Sequence, residues 1–396
     1  MKNIFFVSRS CRLHRKMKMS FYEDKTAEIL SEDKNIKCFV ISTALHKNQK
    51  KIIKKKINKV NYFSLPNNNP EVFDIRFSKL LIKLIQDEKK NYIIFNQFYK
   101  ISENLNSYSK AIFLYSLHCP FSANFSNKLN LFFKIIHNLK NSLMLTKKYW
   151  RELNTISQIK NRKNSSIIYS SRFVKNYYTN SMMFSMYKKT LQDKSNLIPL
   201  CIKKKEKIKF KYEYLEKKLK NYKLKVSFIG RVCESKGIDH ILNISKKLNK
   251  NSKIIFFIGG ATNATDKKKI LKYKKKFNLK NLILSLEGIP NEKVRSLYSL
   301  FDISLHFSNV PEGTSYSIME SMISNCIPMS NYSSEMIKKE HGYVFNKIDY
   351  DEIIFKINKL IDSKKLIKLK KNSFKNINLN YNENILRKNF KAKLSI

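Results

Sequence analysis

Two glutamates, eight positions apart, enclose a glycine and small hydroxyl residues in a segment suited to ligand binding. The segment reads Glu-Gly-Thr-Ser-Tyr-Ser-Ile-Met-Glu and runs from Glu312 to Glu320. If a helix begins just after Gly313, then Thr314 and Ser315 lie near its first turn, where backbone N–H groups are free to meet an anion. The loop before this helix is therefore expected to bind phosphate.

The spacing of the two carboxylates separates two kinds of chemistry. At about 1.5 Å of rise per helical residue, they would lie roughly 12 Å apart along the axis. Paired carboxylates that cleave a glycosidic bond stand only about 5–9.5 Å apart, so a glycosidase pair is not expected. The longer spacing suits a ligand with hydroxyls at both ends and charge between them. It predicts a nucleotide-sugar, with one glutamate on the sugar, one on the ribose and the diphosphate at the helix N-terminus.

A second candidate site follows an apolar strand earlier in the chain. The strand at 226–229 ends at Gly230 and Arg231, and Lys236 and Gly237 follow shortly after. A glycine allows the backbone to approach a ligand, and the two cations could neutralise a leaving diphosphate. Either cation alone would be read as a solvated charge in so basic a chain. Their position after a strand-terminal glycine favours a binding role.

Together these segments resemble the retaining family 4 glycosyltransferases, or glycosyl transferases group 1, which have the GT-B fold. The family's Glu-x7-Glu motif is similar to 312–320, and its Gly-Arg and Lys-Gly pairs are similar to 230–237. Asn325 stands where the family usually has glycine. The resemblance is specific over about residues 222–396. Flanking stretches that also resemble the family are 297–308 and 324–329.

The resemblance implies an α/β protein with two facing Rossmann-like domains and a donor cleft between them. It implies sugar transfer with retention, in which the acceptor hydroxyl attacks the face that the diphosphate leaves. Glu320 would bind the ribose, and Glu312 would hold the donor sugar. The catalytic set would also include Arg231 and Lys236 at the diphosphate. Further donor-binding positions would be Gly230, Gly313, Thr314, Ser315 and Tyr316.

A histidine in the first half could belong to the same site. His118 follows the apolar run 111–117, and ligands of α/β sheets bind at the carboxyl ends of strands. A histidine at this place faces the donor sugar in the family, which implies a catalytic role. The alternative is a histidine satisfied in a strand-end turn, and both readings stay open. His306, inside a strand, is expected to be structural.

The length and the order of apolar runs predict two domains. A chain of 396 residues can bury two cores, and alternating apolar runs and charged stretches are typical of a mostly parallel, doubly wound sheet. The runs in the first half are 3–7, 36–41, 60–65, 92–95, 111–117, 142–145 and 167–169. The expected organisation is an acceptor-side domain at 1–202, a lysine-rich connection at 203–222, a nucleotide-sugar-binding domain at 223–380, and a helix at 381–396 that packs back toward the first domain.

The distribution of glycine departs from the family. All seven glycines lie between Gly230 and Gly342. The first half therefore cannot carry the family's glycine-rich first loop, and residues 8–12 read Ser-Arg-Ser-Cys-Arg in its place. A catalytically degenerate relative is one alternative that this departure favours.

The formal net charge of +49 raises the question of an anionic partner. Lysine clusters bind nucleic acid, but these lysines are spread along the whole chain and no zinc-finger spacing, helix-turn-helix signal or RNA-binding aromatic motif accompanies them. Peripheral contact with an anionic membrane is the preferred use of the charge, and a lipid-linked or glycan acceptor would suit it. A nucleic-acid-binding protein is the non-enzyme alternative. A phosphorylase or an epimerase with the GT-B fold is the enzyme alternative.

Apolar runs and cysteines complete the expectations. No run approaches the roughly 18–20 residues of a membrane span, and the apolar start is too short for a signal peptide, so a cytoplasmic location is expected. Six scattered cysteines show no metal spacing and predict free thiols. No cofactor or metal is expected, because Arg231 and Lys236 already balance the diphosphate charge. The family resemblance and the basic charge together imply that the product is a surface polysaccharide or a lipopolysaccharide-type glycan.

Overall fold

The computed structural model divides the chain into two compact units. The first comprises residues Met1–Leu200 and Asn384–Ile396, and the second comprises Cys201–Glu383. The structure describes residues 1–8, 13, 22–43, 49, 51–66, 75–85, 89–96, 111–117, 150, 152–204, 210–310, 312–332 and 335–394.

An eight-stranded sheet forms the centre of the first unit. Its strands are β1 (Lys2–Ser8), β2 (Ile36–Thr43), β3 (Ile53–Ile57), β4 (Val60–Leu65), β5 (Lys90–Asn96), β6 (Ala111–Leu117), β7 (Ser165–Tyr169) and β8 (Ser195–Leu197). Their spatial order is β3-β4-β2-β1-β5-β6-β7-β8, and they pair in parallel except for the β3–β4 hairpin. The helices of this unit include α1 (Tyr22–Leu30), α2 (Ile75–Leu84), α3 (Arg172–Asn180) and α4 (Lys188–Asp193).

Six of the predicted apolar runs coincide with strands β1, β2, β4, β5, β6 and β7, because their side chains fill the core of this unit. The run at 142–145 lies outside the described residues. No apolar run predicts β3, whose Ile-Lys-Lys-Lys-Ile side chains are mostly exposed. Lysines on an edge strand discourage further strand pairing.

The second unit is built on a six-stranded parallel sheet. Its strands are β9 (Leu224–Ile229), β10 (Ile254–Gly259), β11 (Leu282–Ser285), β12 (Ile303–His306), β13 (Ile327–Ser330) and β14 (Tyr343–Val344). Their spatial order is β11-β10-β9-β12-β13-β14. The helices are α5 (Glu213–Leu219), α6 (Ile238–Leu248), α7 (Ala264–Lys276), α8 (Asn291–Tyr298), α9 (Tyr316–Ile323), α10 (Tyr350–Asn358) and α11 (Lys364–Asn380).

The sheet order of this unit reverses direction beside β9. After β9 the chain forms β10 and β11 on one side, and then crosses to form β12, β13 and β14 on the other. The chain that follows β9 leads to β10 on one side of the sheet, and the chain that follows β12 leads to β13 on the other side. The carboxyl ends of two such strands border the crevice in which open α/β sheets bind ligands.

The stretch 203–222, expected as a connection, contributes a packed helix to the second unit. Leu215 and Leu219 of α5 are buried against a cluster that includes Ile229 and Phe257. Two apolar side chains four positions apart place one face of this helix in the core. Residues 205–209 lie outside the described part of the chain.

The last helix, α12 (Glu383–Leu394), belongs to the first unit from Asn384 onward. Arg387 forms an ion pair with Glu32 and donates a hydrogen bond to the carbonyl oxygen of Ile29 at 3.2 Å. Lys391 pairs with Asp33 at 3.1 Å, and these contacts join the helix to the end of α1.

Over the described residues, no helix combines the length and apolarity that a membrane crossing requires.

Candidate active site

The two-glutamate segment consists of a loop followed by a short helix. Helix α9 begins at Tyr316, and Ser315 is its N-cap residue in an extended conformation. The expectation of a helix that begins just after Gly313 is therefore wrong, because the extended backbone at Ser315 delays the first helical turn. Glu312 precedes the helix, so the estimate of its axial separation from Glu320 does not apply.

Glu320 lies on the buried face of α9 and is only 7% exposed. Burial, and then the neighbouring carboxylate of Glu320, raises the pKa of Tyr298 well above its usual value. The hydroxyl of Tyr298 donates a hydrogen bond to the carbonyl oxygen of Ile229 at 3.0 Å. Ile229 is the last residue of β9, immediately before Gly230. Glu320 thus lies near Tyr298, whose hydroxyl is hydrogen-bonded to the strand end that carries the second motif.

The two motifs meet at an ion pair between Lys236 and Glu312. The two side chains are 28% and 22% exposed, so the pair is partly shielded and also accessible to a ligand. Ser308 stands beside it, and its hydroxyl donates a hydrogen bond to the carbonyl oxygen of Ser235 at 2.9 Å. The same hydroxyl lies 3.5 Å from the carboxylate of Glu312. The loops that follow β9 and β12 are therefore joined at the crevice between these strands.

Asn309 fixes the same two loops to each other. Its amide nitrogen donates to the carbonyl oxygen of Glu234 at 2.8 Å, and its backbone N–H donates to that of Ser235 at 3.1 Å. Its side-chain oxygen lies 2.8 Å from Nε2 of His240, whose Nδ1 lies 2.8 Å from the hydroxyl of Tyr350. Neither motif identifies these three residues. The available signals were the position of Asn309 shortly after β12 and that of His240 shortly after the Lys-Gly pair.

A third strand end contributes through Asn331, which follows β13. Its side-chain oxygen accepts from the backbone N–H of Ser308 at 3.0 Å, and its amide nitrogen donates to the carbonyl oxygen of Ser308 at 2.9 Å. Burial, and then the charge of Glu312, raises the pKa of the neighbouring Tyr332. Tyr332 therefore lies near the Lys236–Glu312 pair, and neither sequence motif indicates it.

His306 is a neutral residue in the interior of this region. Burial, and then the positive charge of Lys236, lowers its pKa to about 3. Its Nε2 lies 3.0 Å from the hydroxyl of Ser304 and 3.5 Å from that of Ser321. A ring that is neutral at ordinary pH and bonded to two hydroxyls acts as a structural element, as the sequence suggests.

Glycine is required at Gly237 by the backbone. Its φ is +68°, in the left-handed region, and an added Cβ would lie 1.8 Å from the carbonyl oxygen of Phe307. The close approach lets the turn that carries Lys236 pack on the end of β12. Gly230 differs, because an added Cβ there would meet no atom within 4 Å. The Gly230 carbonyl is instead closely covered by Gly260, whose φ is +142°.

Replacing Gly230 with alanine is expected to leave the fold intact and to weaken donor binding about tenfold. The backbone allows a side chain at this position, but the new methyl group would occupy open space beside Arg231, where a diphosphate is expected to approach. Calorimetric titration with nucleoside diphosphates and a thermal melt measure both effects. Gly237→Ala is the contrasting variant, since its strained backbone should lower the melting temperature. Unchanged diphosphate affinity in Gly230→Ala would contradict an approach over this glycine.

The structure brings two of the predicted site residues, Lys236 and Glu312, into contact. It places a third, Arg231, as an exposed side chain after β9. At the start of α9, the hydroxyl oxygens of Ser315 and Ser317 lie 2.8 Å apart. His118 lies outside the described residues. Among the residues that the structure describes, no group of three or more His, Cys, Asp or Glu side chains could hold a metal ion.

Comparison with known proteins covers sequence and structure. Residues 210–376 match the family model described as glycosyl transferases group 1. None of the curated proteins matches the chain in sequence.

Solved structures resemble the chain over nearly its full length. Sucrose-phosphate synthase from Thermosynechococcus elongatus has 12% identity and a TM-score of 0.73, with 98% of this chain and 97% of that chain covered. Anabaena HepE, in complex with UDP, has 13% identity and a TM-score of 0.68, with 100% of both chains covered. A glycosyltransferase from Rickettsia africae has 14% identity and a TM-score of 0.65, with 98% of this chain and 97% of that chain covered. At such low identity the likeness establishes the fold, and it confirms the predicted GT-B fold.

Proposed function

Since residues 210–376 of the chain belong to the glycosyl transferases group 1, we propose that the protein transfers a hexose from a nucleotide-diphosphate sugar to a hydroxyl acceptor with retention. The observation that carries the proposal is the meeting of Lys236 and Glu312 at the carboxyl ends of β9 and β12. A cation and a carboxylate at this crevice offer one group to a diphosphate and one to a sugar. Anabaena HepE, a structural neighbour, is in complex with UDP, which supports a nucleoside diphosphate as the leaving group.

The residues of this crevice suggest a division of roles. Arg231 and Lys236 would neutralise the diphosphate, together with the backbone N–H groups at the start of α9. Glu312 would bind sugar hydroxyls, and Glu320 would bind the ribose. Before the donor binds, the Lys236–Glu312 pair holds both side chains at the crevice. A donor would replace this one contact by two, with phosphate on Lys236 and hydroxyls on Glu312.

The reaction requires one bond to form and one to break at the anomeric carbon. The acceptor oxygen bonds to this carbon on the face from which the diphosphate oxygen departs, and the acceptor proton passes to the departing diphosphate. The configuration is thereby retained. We expect the reaction to need no metal, because Arg231 and Lys236 carry the countercharge, and addition of a chelator should leave the rate unchanged. A catalytic contribution from His118 remains part of the proposal.

The acceptor is proposed to be a glycan or a lipid-linked sugar used for a surface polysaccharide or a lipopolysaccharide-type glycan. The net charge of +49 supports a location beside an anionic surface. Lysines attract such surfaces by about 1 kcal/mol each when they lie close to them. We therefore propose a cytoplasmic protein with peripheral contact at the inner face of the plasma membrane.

Calorimetric titration with UDP, GDP, ADP and their common sugar conjugates tests the donor, and NMR of the glycosylated product tests retention. We expect one diphosphate to bind and the anomeric configuration of its sugar conjugate to be kept in the product. Absence of binding at millimolar concentration by the folded protein would overturn the proposal. Binding without turnover would indicate a degenerate relative.

The same assays identify the other enzyme classes. A requirement for inorganic phosphate would indicate a phosphorylase, and conversion of the donor without an acceptor would indicate an epimerase. Retention of polynucleotide at moderate salt, without binding of any nucleoside diphosphate, would favour the nucleic-acid-binding alternative.

A further inference from the structure

The outer face of helix α11 carries large apolar side chains in contact with solvent. The helix buries Leu369 and Ile377 on its inner side, against the rest of the second unit. On the outer side Ile367 is 71% exposed, Phe374 is 40% exposed and Leu379 is 55% exposed. Ile367 and Phe374 are seven positions apart and therefore lie on the same side of the helix, two turns from each other.

Lysines accompany these apolar side chains. Lys364, Lys368, Lys371 and Lys375 follow a spacing of four, three and four, which places them in one stripe along the helix. All four are exposed, and α11 contains no acidic residue. The outer face thus consists of a lysine stripe with apolar side chains on both of its flanks.

A second helix of the same unit shows that this combination is not simply a result of the basic composition. Helix α7 also carries exposed lysines on a stripe, at Lys268, Lys272 and Lys275. Leu271 is the large apolar residue exposed there, at 48%. The two helices are therefore alike in charge and differ in the apolar area that they present to solvent.

We propose that the outer face of α11 docks on an anionic lipid bilayer. A bilayer surface provides phosphates for the lysines and, next to them, an apolar boundary for Ile367, Phe374 and Leu379. A nucleic acid would satisfy the lysines but would leave the aliphatic side chains in water. The proposal gives a location to the peripheral contact proposed above, on which it rests, and it does not depend on the sugar chemistry.

Docking through α11 would have a consequence for the candidate site. The inner side of α11 packs on α9, the helix that carries Glu320. A bilayer bound to the outer side would therefore hold the donor-binding unit at the membrane surface, near a lipid-linked acceptor.

Sedimentation with lipid vesicles tests the role of the lysines. The vesicles consist of phosphatidylcholine alone or mixed with an equal amount of phosphatidylglycerol. The combined change of Lys368, Lys371 and Lys375 to glutamine should lower binding to the anionic vesicles about a hundredfold, at roughly 1 kcal/mol for each lysine. The matched control changes Lys268, Lys272 and Lys275 to glutamine, removes the same charge and should have a much smaller effect. Equal losses in the two variants would overturn the proposal.

The apolar side chains are tested at constant charge. The combined change Ile367→Ala, Phe374→Ala and Leu379→Ala should lower anionic-vesicle binding at least tenfold, whereas Leu271→Ala should not. In a separate variant, Phe374→Trp should give a blue-shifted emission when anionic vesicles are added, and Leu271→Trp should not; the native chain, with a single tryptophan, supplies the background. Unchanged vesicle binding by the alanine variant, or an unshifted Phe374→Trp emission, would overturn docking through this face.

Two further measurements separate this proposal from the proposed function. Thermal melts of every variant establish that the chain is folded. Titration with the nucleoside diphosphate should give the same affinity in the α11 variants as in the native chain, so a failure of vesicle binding and a failure of donor binding are distinguishable. A loss of polynucleotide binding with unchanged vesicle binding in the α11 lysine variant would assign the face to nucleic acid and overturn the proposal.

Discussion

Replacing Lys236 with alanine is expected to lower kcat/KM for the donor by about 10²–10³-fold. A preorganised group that stabilises charge developing in the transition state contributes a factor of this size. Lys236 is held at the crevice by Glu312, and its turn is fixed by the hydrogen bonds from Asn309 to Glu234 and Ser235. The rate of donor turnover, with the acceptor that proves active, measures the loss.

The control for this variant is Lys267→Ala, which removes an exposed lysine from α7 and should leave kcat/KM unchanged. A double-mutant cycle with Glu312→Gln separates the ion pair from the catalytic role. If Lys236 serves only to pair with Glu312, both single variants and the double variant will have similar effects. If Lys236 acts on the diphosphate and Glu312 on the sugar, the double variant will be slower than either single variant. Full activity in Lys236→Ala would contradict the assigned site.

Replacing Glu320 is expected to weaken nucleoside diphosphate binding by about 1–3 kcal/mol, the cost of losing a charge-assisted hydrogen-bonding partner. The same loss is about five- to 150-fold in the dissociation constant. Glu320→Gln is the preferred variant, because Glu320 is only 7% exposed and the amide keeps nearly the same volume in a packed position. Calorimetric titration measures the change directly.

The choice of ligand makes this prediction specific. Glu320 is proposed to bind the ribose, so Glu320→Gln should weaken binding of the nucleoside diphosphate and leave inorganic pyrophosphate unaffected. Lys236→Ala should weaken both ligands. Glu216→Gln on the exposed side of α5 is the matched control and should change neither affinity. An equal loss for pyrophosphate in Glu320→Gln, at an unchanged melting temperature, would move Glu320 from the ribose to the phosphates.

The sequence predicts those parts of the fold in which local composition and burial agree. The strands β1, β2 and β4 can be predicted from their apolar runs because their side chains are buried in the core. Strand β3 escapes such a prediction, since it is held by its pairing with β4 rather than by its own apolar side chains. The turn between them contains Asn58 and Lys59 at positive φ, without a glycine to signal it.

The candidate site shows a similar limit. The motifs at Gly230 and Glu312 can be found from residue types that follow apolar strands. The contact between Lys236 and Glu312 joins residues 76 positions apart and depends on the order of the strands in the sheet, which the local sequence does not specify. The bracing role of Asn309 depends on the same tertiary arrangement. The start of α9 was misplaced because several small residues in succession could each serve as its N-cap.

The assignment of Asn384–Ile396 to the first unit affects how the protein matures during synthesis. Residues 1–200 leave the ribosome well before Arg387 and Lys391, which form ion pairs with Glu32 and Asp33. Domains tend to fold in the order of their synthesis, but here the complete packing of the earlier unit includes a helix that is synthesised after the later unit. Premature termination after the second unit would therefore yield a polypeptide whose C-terminal half has all its own parts and whose N-terminal half lacks its closing helix.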